Sequence, residues 1–305
     1  MGIGFEPFFE AGATFAKQQQ IPFVTYPLAH LGAGEKPGED ALGRFYTMRH
    51  QTALVKESDG IIAQTPTEKQ FYESKGVAPD RIWPIGPGVN PNDFIVDGQL
   101  KGDGEAFRKR HNIQNPLVIS ISQMCFDKGT EDTVEAVRQL WAAGIEVDLA
   151  LAGAILEPFA QFLDQLPTKD RERIHVLGFV SDEERYDMLA AADILSMPSR
   201  TDSFGVVYLE AWLYGKPVIG ANTWGVNSVI AHDEDGILVP FNDKAAVAEA
   251  IKHLIEEPAL AQSMGEKGRN KVMTEHTWDH KIGSIEKIYT QLVEQANKQK
   301  QREER

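Results

Sequence analysis

The chain is short of cysteine, of positive charge and of long apolar runs, and each shortage excludes something. Cys125 is the only cysteine in 305 residues. No disulfide can form within the chain, and a reducing compartment is expected. Lysine and arginine number 31 against 45 acidic residues, a formal net charge of −14. A nucleic-acid binder needs a basic face for phosphates, so no nucleic-acid partner is expected. Nor does the overall charge favour anionic lipid, although a local basic patch remains compatible with it. No apolar run approaches the ~20 residues of a membrane helix, since the best, 147–156, is interrupted by Asp148. No basic segment followed by an apolar one opens the chain, so no secretory leader and no transmembrane segment are expected. A cytoplasmic protein follows, soluble or peripheral at the inner membrane face.

What is present is ordinary for a globular enzyme. Hydrophobic residues make up 42 % and charged ones 25 %, which excludes global disorder. The length suits two α/β domains. Short β-rich runs alternate with helical stretches, the pattern of βαβ units and parallel sheets. Strands are expected at 22–25, 60–64 and 81–86, with helices at 8–19 and 44–57 and another beginning after the capping Thr65. The Gly- and Pro-rich stretch from Gly86 reads as a connection over 87–104. Further strands are expected at 117–122, 147–152, 174–177, 194–197, 217–220 and 237–239. Helices are expected at 130–143, 157–165, 206–214, 243–256, 258–274 and 279–298, with a frayed tail. One more opens at Ser181, where Glu184 is placed to reach back in a capping box. The boundaries drawn are 1–97 for a first domain, 98–276 for a second and 277–305 for a returning helix and tail.

The segment with most chemistry is Pro198-Ser199-Arg200-Thr201-Asp202-Ser203-Phe204-Gly205-Val206-Val207-Tyr208-Leu209-Glu210. A strand ends at Met197, a loop carries Asp202, and a helix starts near Gly205. A helix start offers free N–H groups and a positive dipole end, suited to a diphosphate. Asp202 lies before that helix and Glu210 within it, so the two carboxylates bracket the anion position and can accept sugar hydroxyls. The plainer alternative is an N-capping Asp202 and a solvated Glu210.

This block resembles the E-x7-E region of family 4 glycosyltransferases, retaining GT-B enzymes that use nucleotide-sugar donors. The agreement is gap-free over 195–240 and looser over 23–289. The resemblance implies two Rossmann-like doubly wound domains, here with the N-terminal one incomplete. It implies that Glu210 holds ribose hydroxyls, that Phe204 and Gly205 present backbone amides to the hexose, and that Ser203 belongs to the donor-binding set. The amides of Val206 and Val207 would meet the diphosphate. Asp202 departs from the family's usual Glu by one methylene. A second stretch, 121–129, resembles G-R-L-x-x-x-K-G, in which Arg and Lys clamp the diphosphate; Lys128 is kept and Gln123 stands at the Arg position. A neutral amide still donates hydrogen bonds but supplies no charge. Gly153 resembles the glycine turn near the donor, and Val180 the strand end whose backbone meets the base. Trp224 to Ile230 resembles G-G-x-P-E-x-I, with Ser228 where the Glu would be and no role assigned there.

In the first domain His30 follows a strand where the family often carries a histidine facing the reaction centre, and is the candidate acceptor-binding or polarising group. The segment Gln64-Thr65-Pro66-Thr67-Glu68 reads as helix capping rather than chemistry. Asp233-Glu234-Asp235 is formally a D-x-D but reads as a solvated turn. His276 and His280 read as helix-start residues rather than a metal pair, and Cys125 as packing. No metal and no cofactor are expected beyond the nucleotide sugar itself.

The implied activity is metal-independent, retaining transfer of a hexose to an unknown acceptor, with Lys128 and the helix start stabilising the leaving diphosphate. The alternatives are a nucleotide-sugar-binding module or subunit without turnover that needs a partner chain, and a GT-B-type sugar-nucleotide epimerase. Against the family pattern the chain begins near the fourth strand of its first domain, so strand 22–25 is expected at a bare sheet edge. A homo-oligomer or partner chain would cover it.

Overall fold

The computed structural model describes residues 7–303. Three parallel strands come first, β1 (Val24–Thr25), β2 (Gly60–Ala63) and β3 (Ile82–Pro84), lying in that order. A small hairpin, β4 (Ile95–Val96) with β5 (Gln99–Leu100), leads to the second domain. Six further strands follow: β6 (Leu117–Ile121), β7 (Asp148–Ala152), β8 (Ile174–Gly178), β9 (Ile194–Met197), β10 (Val218–Ala221) and β11 (Gly236–Val239). They form one parallel sheet in the order β11-β10-β9-β6-β7-β8. Its central strands are buried on both faces, which is why they read as near-continuous apolar runs rather than alternating ones.

This order decides where a site can form. From β6 the chain winds outward through β7 and β8, then returns to the centre and winds the other way through β9, β10 and β11. Strands β6 and β9 are therefore neighbours, with Ile119 opposite Leu195. The chain leaves their carboxyl ends toward opposite sides of the sheet, and the crevice outside those ends is where an open α/β sheet places a ligand. The expected strands all form, within two residues at either end.

Several helical expectations change. The helix expected over 44–57 is two, Ala41–Tyr46 and Arg49–Glu57, broken where Met48 is extended. Ser181 caps the helix Asp182–Ala191 by accepting the Glu184 N–H at 3.2 Å. The reciprocal half of that capping box is absent, because the Glu184 carboxylate is drawn to Arg110 and His111 at 2.9 and 3.0 Å. The expected linker 87–104 is structured: it holds the turn Pro91–Phe94 and the hairpin, with Val89 and Phe94 in the second domain's core. The boundary drawn after Asp97 falls in the hairpin turn. The last helix continues through Glu303 instead of fraying from 298.

That helix, Trp278–Glu303, crosses back to the first domain. Leu292 packs so closely on β2 that a Cβ at Gly60 would lie 3.0 Å from its Cδ1. Among the described residues β1 is an edge strand. A groove of about 450 Å³ runs beside it, between Ile21, Pro22 and Val24 and the helix residues Tyr289, Leu292 and Val293. Among the described residues no helix is long and apolar enough to cross a membrane.

Candidate functional site

The crevice between β6 and β9 is built by two glycines. Gly129 has φ +69° and caps the helix Thr130–Ala142; a Cβ there would lie 2.4 Å from the Pro198 carbonyl oxygen. Gly205 has φ +87° and stands just before the helix Val206–Leu213 with no side chain to cap it; a Cβ there would lie 2.3 Å from the Tyr208 ring. Only glycine tolerates both the left-handed backbone and the lack of room. The loop after β6 is thus pressed against the loop after β9. The Arg200 N–H donates to the Asp127 carbonyl at 3.0 Å, and the Arg200 guanidinium pairs with the Asp127 carboxylate at 2.7 Å.

Between these loops Lys128 Nζ reaches Asp202 Oδ2 at 2.9 Å, with both side chains about one fifth exposed. Asp202 therefore does not cap the following helix, and no other side chain does. The amides of its first turn and the positive end of its dipole are left to attract an anion, and Val206 at that end is 39 % exposed. One turn further in, Glu210 Oε1 accepts from Arg185 Nη1 at 2.6 Å. Burial pushes the Glu210 carboxyl up, and the Arg185 charge beside it holds it down in part. Arg185 also pairs with Asp182 at 3.0 Å. Sequence reading missed Arg185, although it is the single basic residue in the helix Asp182–Ala191. Glu210 is thus a paired, largely buried carboxylate rather than a solvated one.

The carboxyl ends of the first sheet face the same crevice. His30 follows β1 with its ring edge-on to Tyr46, centroids 4.4 Å apart, and its Nδ1 is buried without a hydrogen-bond partner. Burial disfavours its protonated form most, the Asp202 charge favours it, and the Lys128 charge opposes it, so His30 lies within the field of the ion pair. After β2, Gln64 Oε1 accepts the Ser203 hydroxyl at 2.9 Å across the domains. Thr67 and Ser228 join through their hydroxyls at 2.6 Å. The Trp224 indole donates to the Gly34 carbonyl at 2.8 Å, and its amide to the Gly32 carbonyl at 3.2 Å. Ser228, left without a role by sequence reading, is a contact between domains.

The remaining candidates lie around this centre in different ways. Gly153 has φ +131°, and a Cβ there would collide with the Ser122 carbonyl, so it presses the end of β7 onto the loop after β6. Gln123 is exposed on that loop, and Val180 is half-buried against the core. Phe204 is buried, with its ring edge-on to His276 at 5.5 Å and packed against Gly86 where the chain crosses between domains. Its side chain belongs to that crossing, which leaves its backbone to the crevice.

Three of the set-aside residues need correction or completion. Asp235 is not part of a solvated turn: it is buried, accepts the Ala231 N–H and pairs with Lys271 at 2.8 Å. His276 does not start a helix but ends one, Pro258–Glu275, and burial pushes its imidazole down to about 4. His280, in the first turn of Trp278–Glu303, shares a 2.8 Å hydrogen bond with Thr277. Among the described residues no three His, Cys, Asp or Glu side chains gather as a metal site.

A Rossmann-like sheet whose switch-point crevice holds a lysine and an uncapped helix start, faced by a second Rossmann-like sheet, defines a GT-B type glycosyltransferase fold. The family model described as "Glycosyl transferases group 1" matches residues 103–271, more than half of the chain, and the chain belongs to that family of transferase enzymes. It is 25 % identical over 297 residues to the D-inositol 3-phosphate glycosyltransferase 1 of Catenulispora acidiphila, covering 93 % of this chain and 70 % of that protein. It is 29 % identical over 223 residues to the GDP-mannose-dependent alpha-(1-6)-phosphatidylinositol monomannoside mannosyltransferase of Mycobacterium tuberculosis, covering 70 % of this chain and 56 % of that one. Among solved structures, Anabaena HepE in complex with UDP and glucose superposes with a TM-score of 0.78 at 20 % identity, over 92 % of this chain and 75 % of that one.

Proposed function

We propose that the chain moves a hexose from a nucleoside-diphosphate sugar to an acceptor hydroxyl with retention and without a metal ion. The observation that carries this reading is the convergence of Lys128 and the uncapped start of Val206–Leu213 at the switch point. The hard step is departure of the diphosphate, which gathers negative charge on its leaving oxygen and takes up the proton that the attacking acceptor hydroxyl gives up. Fixed positive groups in a partly water-excluded cleft stabilise that charge without reorganising. On entry of the diphosphate, Lys128 exchanges or shares its Asp202 contact with the phosphate oxygens, and the amides of Val206 and Val207 add theirs. Asp202 is then placed to accept a hexose hydroxyl. Glu210, steadied by Arg185 on one oxygen, keeps its other for the ribose. The amides of Ser203, Phe204 and Gly205 line the hexose, Gln123 and Gly153 the diphosphate side, and Val180 the base. His30 faces the acceptor with an imidazole that burial keeps neutral, fit to accept or polarise a hydroxyl. The GDP-mannose dependence in the name of one relative supports a nucleotide-sugar donor.

One observation favours a second reading, a binding module without turnover. Lys128 at the switch point is already paired with Asp202, and Gln123 adds no charge where the resemblance places arginine. A thermal-shift panel of UDP-, GDP- and ADP-sugars finds the donor, because a ligand that binds only the folded state raises its Tm. Product formation with that donor supports the transferase. Calorimetric binding with neither product nor donor hydrolysis supports the module. No shift with any nucleotide sugar overturns both.

A further inference from the structure

Glu68 is a fully buried carboxylate that neither reading above uses. It sits in the first turn of the helix Pro66–Ser74, capped by Thr65, where its backbone N–H reaches the Thr65 hydroxyl at 3.1 Å. Its side chain does something a first-turn glutamate has no need to do. Oε1 accepts the Ala29 N–H at 2.9 Å, and Oε2 accepts the Gln64 N–H at 2.5 Å. Ala29 is the residue before His30. Gln64 is the residue whose side chain accepts the Ser203 hydroxyl of the other domain, next to Asp202. One carboxylate thus ties the loop after β1 to the end of β2 at the two points where the first domain meets the crevice.

Resting on the transferase reading, we infer that Glu68 is a positioning residue, a brace whose two oxygens together fix His30 and the Gln64–Ser203 domain contact. The ionised carboxylate suits both bonds, since each oxygen accepts one N–H. A protonated carboxyl keeps one good acceptor and offers an O–H toward the second amide, which has nothing to receive it. The brace is therefore whole only when Glu68 is charged. Burial works against that state and pushes the carboxyl up to about 7, while the two amides pull it down. The groups with phenols facing it are Tyr26 and Tyr72, both held un-ionised by burial and by its charge. Proton loss from Glu68 near neutrality would then set how well the acceptor side is ordered.

The test pairs a structural readout with a kinetic one. In the wild-type chain the amide nitrogen resonances of Ala29 and Gln64 should titrate together with a midpoint near 7, and in E68Q they should not. Transfer by the wild type should fall as pH drops below 7. E68Q should lower kcat by up to ~10²-fold, the scale of a slightly misplaced group, and flatten that acid limb, with donor Kd changed less than ~3-fold. Restoring the carboxylate with E68D should return part of the acid limb, which a merely structural role would not do. Amides that do not titrate, or an E68Q profile that keeps the wild-type acid limb, overturn the brace. If the wild type transfers no sugar at any pH, the transferase reading fails by itself, and the amide titration alone decides Glu68.

Discussion

Lys128 and Asp202, 74 residues apart, meet at 2.9 Å between the loops that leave the two central strands of the second sheet. The pair sits where the sheet order reverses, so the fold brings a charge to the one crevice that an open α/β sheet offers. It also holds the lysine in place until something more negative than a single carboxylate arrives.

Replacing Lys128 by alanine should cut transfer ~10²–10³-fold, the scale of losing one stabilising group aimed at developing charge. Initial rates at saturating donor measure this. Transfer within a factor of three of wild type would end the leaving-group role.

Arg185→Leu should act through Glu210. Burial already pushes that carboxyl up, and Arg185 is the nearest charge holding it down. Without the arginine the carboxyl takes a proton more readily, so donor binding should weaken and recover in part between an acidic and an alkaline pH. Calorimetry at the two pH values reads it. Loss of the pair should also cost about 2 kcal/mol of stability, the scale of leaving a buried polar group unpaired.

Gly205→Ala should damage both fold and binding. The substitution needs φ +87° from an alanine and puts its Cβ 2.3 Å from the Tyr208 ring. The backbone term alone is about 1–3 kcal/mol. Denaturant unfolding should show at least that loss, with a lower donor affinity because the helix start moves.

Glu68 makes stability depend on pH in a stated direction. Its folded carboxyl stands at about 7 against an ordinary 4.5. A raised carboxyl contributes its full stabilisation below 4.5 and loses it as pH rises from 4.5 through 7, because over that range the unfolded chain has released a proton that the folded state still holds. The wild type should therefore lose about 3 kcal/mol relative to E68Q between pH 4.5 and 8. Urea unfolding of both proteins across that range tests the sign. An unchanged difference would show that the carboxyl is already ionised at the lower pH.

Much of this molecule is written locally. The strands were legible because a parallel sheet buried on both faces demands short, nearly continuous apolar runs, as at 117–121 and 149–152. Gly205 was legible because a strand end, a loop and a glycine before an apolar helical run mark a tight turn into a helix. Partnerships were not. Arg185 reads as one more charge on a polar helix, and its pairing with Glu210 depends on how that helix packs beside Val206–Leu213. Glu68 reads as an acidic residue in a first turn, and the sequence holds no mark that Ala29 and Gln64 would direct their amides at it. The break at Met48 and the ion pair at Asp235 were hidden for the same reason.

The sequence by itself determined the alternation of strands and helices, the order of the sheet-forming segments and the string of residues at the start of the helix after Gly205, since each depends on near neighbours. Only the tertiary structure decided which carboxylate meets which cation, that Trp224 and Ser228 bind the first domain, and that Glu68 joins the loop after β1 to the end of β2. Those contacts join residues 25 to 190 positions apart. Their formation is governed by where buried groups find a hydrogen-bond partner once the layers have packed.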